Sequence, residues 1–184
     1  MKTLIIAFAL AVNPFVSPLI MFSPPHVLQQ SAASPKRKIK VDVRYDRQKN
    51  ITTVKLEKLV LWQNPVNFEE IGLVVGFEYP NRIIVTPESV SVVFYTATRD
   101  WTPFPRNNKL AALLDGVRQD LGKVEEVDFE RRRISISYQD FARIANATKV
   151  ACLFGDRKYE LTEKQIKSLR DFLELMQQEG QEFK

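Results

Sequence analysis

From Val41 onward, apolar residues recur mostly at every second position, the period of strands that turn one face to a core. Val41, Val43 and Tyr45 alternate with Asp42, Arg44 and Asp46, which predicts a strand, and the polar residues 47–50 predict a turn after it. Residues 51–62 read as the hairpin partner. Val54 and Leu56 fall out of phase with Leu59 and Leu61, so a bulge is expected near Glu57 and Lys58. Beyond a loop over residues 64–70, the alternation is clearest at Ile71, Leu73, Val75, Phe77 and Tyr79. Between them stand Gly72, Val74 and Gly76, small or apolar, which predicts a second face that is covered or closely approached. In the next strand Val90, Val92 and Phe94 oppose Val93 and Tyr95, and this predicts a central strand buried on both faces.

The second half of the chain continues in the same manner. Residues 99–108 form a loop, and residues 110–114 pair with a strand from Val117 across Asp115-Gly116, a favoured hairpin turn. A short helix is the competing reading of 110–114. Residues 124–129 and 133–138 read as strands, with Ile134, Ile136 and Tyr138 alternating with Ser135 and Ser137. One short helix over 139–146 packs Phe141, Ile144 and Ala145. A last hairpin joins 149–154 to 158–161 across Gly155-Asp156. Thr162-Glu163-Lys164-Gln165 then matches a capping box. It opens a helix over about 162–179, with an apolar stripe at Ile166, Leu169, Leu173 and Met176 and with Phe172 beside it. The expected fold is mainly β, an antiparallel β-sandwich or strongly twisted sheet of about eight strands with the C-terminal α-helix packed on it; α+β is the alternative label.

The first forty residues follow a different pattern. Lys2 precedes an apolar run from Leu4 to Val12 and a second apolar stretch that ends at Phe22, with Ser31-Ala32-Ala33 further on. This is the layout of a secretory signal, residues 1–33, cleaved after Ala33. An uncleaved anchor is the rival, although Pro14 and Pro18 interrupt the span. A start at Met21 is a third reading, and it would leave a cytoplasmic protein. Residues 34–40 read as a basic linker and 41–184 as a single β-rich domain. The expected location is periplasmic or extracellular, with membrane anchoring if the leader stays.

Composition changes this picture at two points. The chain of 184 residues carries a formal charge of +5, which invites a nucleic-acid reading. Five of its 27 Lys and Arg residues, however, are Lys2, Lys36, Arg37, Lys38 and Lys40, which leaves 22 bases against 22 acids from Val41 onward. The basic excess belongs to the tail, so no nucleic-acid partner is expected. Contact of Lys36, Arg37, Lys38 and Lys40 with an anionic membrane or polymer is the functional reading of that tail, and a solvated linker is the plain one. The second point is chemical. The lone histidine, His26, lies in the leader, and the lone cysteine, Cys152, sits between Val150 and Phe154 on an alternating strand. If the leader is removed, histidine-dependent triads and histidine-ligated metals go with it. Cys152 reads as a small buried apolar residue. No cofactor motif and no metal site is expected.

Carboxylates remain as candidate chemistry. Glu69, Glu70, Glu125, Glu126, Asp128 and Glu130 supply acids. Glu126, Asp128 and Glu130 alternate as if along one strand face, directly before Arg131, Arg132 and Arg133, which reads as a cross-strand charge ladder. The best recognition candidate is the loop holding Trp101 and Phe104 among Arg99, Arg106 and two prolines: aromatic area at low entropic cost, with arginines for anions or stacking. Trp62 reads as core or rim. Asn50-Ile51-Thr52 and Asn146-Ala147-Thr148 match the glycosylation pattern, relevant only in a eukaryotic source. The expectation is an exported, non-enzymatic binding module for a protein, peptide or carbohydrate; a carboxylate-dependent extracytoplasmic glycoside hydrolase is the alternative.

Overall fold

One twelve-residue strand, β4 (Glu69–Pro80), organises the larger of two antiparallel sheets because its alternate residues from Ile71 to Tyr79 are apolar. The computed structural model describes residues 40–66, 69–97, 104–180 and 182. Expectations placed on the leader, His26, Lys36, Arg37, Lys38, Arg99 and Trp101 lie outside the described residues. In chain order the first elements are β1 (Val41–Asp46), β2 (Ile51–Leu56), β3 (Leu59–Asn64), β4 (Glu69–Pro80) and β5 (Ser89–Ala97). There follow β6 (Lys109–Leu114), β7 (Val117–Lys123), β8 (Glu125–Glu126), β9 (Arg131–Ser137) and α1 (Tyr138–Asn146). The chain closes with β10 (Val150–Phe154), β11 (Arg157–Glu160) and α2 (Glu163–Met176).

The seven-stranded sheet runs β1-β2-β4-β5-β9-β8, with β3 also on β4, and the four-stranded sheet runs β11-β10-β6-β7. The mainly β architecture with its C-terminal helix agrees with the alternation in the sequence. The described residues hold eleven strands rather than about eight, and two segments differ from expectation. The single strand expected over 51–62 is divided at Glu57 and Lys58, where the bulge was expected. Its two parts, β2 and β3, both lie along β4, with Ile51 opposite Pro80 and Asn64 opposite Glu69. The strand expected over 124–129 keeps only two paired residues, Glu125 opposite Arg133 and Glu126 opposite Arg132. After them the chain bends, because Asp128 accepts the Glu130 backbone N–H at 3.0 Å and the Arg131 Nε at 2.7 Å. The acids at 126, 128 and 130 therefore do not line one strand face.

A single apolar core lies between the inner face of the large sheet, the small sheet and both helices. Its centre is a chain of phenyl rings. Phe94 on β5 meets Phe154 on β10 at 5.0 Å between centroids. Phe77 on β4 meets Phe172 on α2 at 5.5 Å, and Phe141 on α1 meets Phe172 edge-on at 6.2 Å. Each such ring removed from water contributes roughly 2–3 kcal/mol, before the edge-to-face term. The Thr162–Gln165 capping box is formed on both sides, and Gln165 also donates from Nε2 to the Val60 carbonyl at 2.6 Å, which fastens α2 to β3. α2 stops at Met176 instead of running to about 179. Beyond it the chain is engaged elsewhere: Glu179 accepts the Thr86 N–H at 3.2 Å, and Gly180 donates to the Ile84 carbonyl at 3.0 Å.

The expectation that β5 is buried on both faces is corrected. Val90, Val92, Phe94 and Thr96 are buried, whereas Ser91, Val93 and Tyr95 on the opposite face are half-buried and Ser89 is exposed. The physical reason is that both helices and the small sheet pack on one side only. Replacing Phe154 or Phe172 by Ala is expected to cost about 3–5 kcal/mol in urea unfolding, while Val117→Ala, on the exposed edge of the small sheet, should stay within about 0.5 kcal/mol.

Candidate functional site

The outward side chains of the large sheet form rows that only the register reveals. Asp42, Lys55, Gly76, Ser91 and Ser135 stand opposite one another in turn across β1, β2, β4, β5 and β9. The adjoining row brings together Val74, Val93, Arg133 and Glu125. Gly76 has no side chain to raise the floor, and a Cβ there would meet the Val54 carbonyl at 2.9 Å. The result is an open trough of about 370 Å³ lined by Thr53, Lys55, Val74, Gly76, Ser91 and Arg133, among others. Asp42, the neighbour of Lys55, is held by Arg44 at 2.9 Å, and Glu78 accepts from the Thr53 hydroxyl at 3.2 Å. Among the described residues Lys55 has no ion pair within 4.0 Å, and Arg133 reaches only the exposed Glu125, at 3.8 Å.

One end of this face is closed by a second polar cluster. Lys58 and Tyr95 both donate to Glu70 Oε1, at 2.7 and 2.8 Å. The Lys58 ammonium also lies 5.1 Å from the Tyr95 ring centroid. The ring is laid on Gly72, where an added Cβ would stand 1.9 Å from the phenol oxygen. An aromatic ring folded over a cross-strand glycine fills the missing side-chain volume and pins the register. Burial opposes the charge of Glu70, but the hydrogen bonds from Lys58 and Tyr95 outweigh it and hold the carboxyl below its usual range. Burial and the bond to Glu70 push the Tyr95 phenol well above its usual value.

The residues singled out from sequence are dispersed. Phe104, 9% exposed, is a core residue: its ring packs on Phe154 at 5.7 Å and under the Arg132 guanidinium at 5.2 Å. Its ring is part of the core cluster. Arg106 is exposed. The loop leaves β5 at Ala97 and returns at Phe104 beside the 127–130 bend, where the Thr96 N–H reaches the Glu130 carbonyl at 2.9 Å. That bend carries two exposed apolar residues, Val127 at 48% and Phe129 at 65%. Lys40 pairs with Glu57 at 3.3 Å, both side chains exposed. Trp62, 41% exposed, is a rim residue.

Three of the four acids of the second carboxylate group face neighbouring bases. Glu126 pairs with Arg132 at 3.2 Å, Glu125 with Arg133 at 3.8 Å and Asp128 with Arg131 at 2.5 Å. Cys152 packs against the core, and burial pushes its thiol up to about 12. Among the described residues no group of three potential metal ligands gathers, and no helix is long and apolar enough to cross a membrane. No protein-family model matches the chain, and no curated protein or solved structure is significantly similar to it.

Since the folded state holds Glu70 below its ordinary value of 4.5, its contacts add stability that is complete above that pH and is lost as pH falls through the folded-state value. Glu70→Gln is therefore expected to lower the urea midpoint at pH 7 and to differ much less from the parent near pH 3. A difference that stays constant over that interval would show that the ionised carboxylate contributes nothing.

Proposed function

We propose that the protein is an exported, non-enzymatic binding module that meets its ligand on the outer face of the seven-stranded sheet. The observation that carries this reading is the trough over Gly76. Its floor is small, hydroxyls from Thr53, Ser89, Ser91 and Ser135 face it, and a cation stands at either side. A folded protein has no structural need for an unpaired ammonium beside a concave surface, whereas concave surfaces with a few convergent polar groups are where ligands bind. The leader with Ala33 at its end supports export.

The carboxylate-hydrolase alternative gains less support. Glu70 and Glu78 share the outer face of β4 but are eight residues apart, roughly 26 Å along a strand. A glycosidase pair needs about 5–5.5 or 6.5–9.5 Å. Glu70 is also held in its charged form, the opposite of what a general acid requires. Of the other candidates, Glu125, Glu126 and Asp128 pair with arginines.

The test compares wild type, Ser91→Trp and Trp101→Ala on an array of oligosaccharides and peptides. Ser91 points outward from the central strand, so a tryptophan there fills the trough without entering the core. Ser91→Trp is expected to weaken binding at least about tenfold, equivalent to 1.4 kcal/mol, with little change in Tm. Loss with Trp101→Ala alone would move the ligand site to the 99–106 loop. Chemical turnover of a bound ligand would overturn the non-enzymatic reading.

A further inference from the structure

The chemistry of the trough is specific enough to name a class of ligand. We infer that it holds a short acidic saccharide, with anionic groups engaged by Lys55 on one side and Arg133 on the other. This rests on the sheet-face reading above and narrows it.

Four observations lead there. Charge comes first. Lys55 is exposed with no ion pair among the described residues, because Arg44 takes Asp42, its register neighbour. Arg133 is bound only at 3.8 Å by Glu125, whose side chain is 77% exposed. Three inter-strand spacings separate the β2 and β9 positions, so the backbone positions of Lys55 and Arg133 stand about 14–16 Å apart. One ligand bearing two anions can bridge the two side chains. Glu78 also lines the trough and keeps its negative charge, with its carboxylate turned to the Thr53 hydroxyl on β2, away from Arg133 on β9.

Second, the groups between the cations are hydroxyls. Ser91 and Ser135 lie in one row with Lys55 and Gly76, and each hydroxyl donates and accepts, the complement of a polyol. Third, among the described residues no aromatic platform is exposed in the trough. Phe77 faces the core, and Tyr95 lies on Gly72 with its hydroxyl on Glu70. Binding then has to come from charge and hydrogen bonds, which favours an acidic chain over a neutral one. Fourth, this is the middle of a sheet and not its edge. The backbone groups of β4 and β5 are used in the ladders on both sides, so an extended peptide finds no main-chain pairing here.

Calorimetric titration of the full chain with oligogalacturonate, with its fully methyl-esterified form, with a sulfated chondroitin oligosaccharide and with polyglutamate tests the inference. The expected result is binding of at least one acidic saccharide and no binding of the neutral ester. Lys55→Ala and Arg133→Ala should each weaken it about tenfold or more, and added salt should weaken it further. Both side chains are exposed, so both variants should keep the parent Tm. Polyglutamate binding as tight as the saccharide, with the same dependence on Lys55 and Arg133, would overturn the saccharide class. Binding of the neutral ester that Ser91→Trp abolishes would overturn the acidic ligand and leave the sheet-face reading standing. Acidic binding untouched by Ser91→Trp, or no binding of any acidic saccharide, would overturn the inference, and the former would overturn the sheet-face reading with it.

Discussion

A strand presents successive side chains to opposite sides, and among the described residues the small sheet and both helices pack on the same side of the large sheet. Ile71, Leu73, Val75, Phe77 and Tyr79 of β4 therefore face a closed core, while Gly72, Val74, Gly76 and Glu78 of the same strand face outward. β5 repeats the division with Val90, Val92 and Phe94 inside and Ser91, Val93 and Tyr95 outside. The phenyl chain from Phe94 through Phe154, and from Phe77 through Phe172 to Phe141, joins the two sheets and both helices on that one side. A one-residue slip of β4 would exchange the two sets, so burial of the rings also decides which residues face solvent.

The outward set is then shaped by what small residues permit. Gly72 lets the Tyr95 ring lie flat on the backbone, where its hydroxyl joins Lys58 on Glu70; Gly76 leaves the floor low beside Lys55. Two ion pairs on this face are closed locally, Arg44 with Asp42 and Lys58 with Glu70, while Glu78 accepts only the neutral Thr53 hydroxyl. Lys55, Glu78 and the weakly paired Arg133 are the charges left over around the trough. Packing thus explains the shape of the trough, and incomplete charge pairing explains why that shape has a chemical preference.

Much of the fold was legible because alternation is a strong signal where one face is buried. β1, β4, the Asp115-Gly116 hairpin, α1 and the capped α2 follow the pattern of apolar residues closely. The departures have local causes that periodicity does not carry. Asp128 curls the chain where a longer strand was expected, and the engagement of Glu179 and Gly180 with residues 84 and 86 ends α2 early. Apolar residues on both sides of β5 suggested double burial, since Val93 and Tyr95 carry no mark of which side lacks a covering element. The candidate site was hidden for a related reason. Lys55, Gly76, Ser91 and Ser135 are ordinary residues far apart in the chain, and only the pairing of four strands sets them in a row. The Phe104 ring packs in the core, a placement that its position in a proline-flanked loop does not signal.

The account depends most on the large sheet having one covered and one open face. Methyl NMR in the presence of a soluble paramagnetic agent measures this directly, because Val74 and Val75, and Val92 and Val93, are chain neighbours pointing opposite ways. The methyl signals of Val74 and Val93 should broaden strongly, while those of Val75 and Val92 stay sharp. Equal protection of all four would mean that the outer face is covered in solution, and would contradict the account.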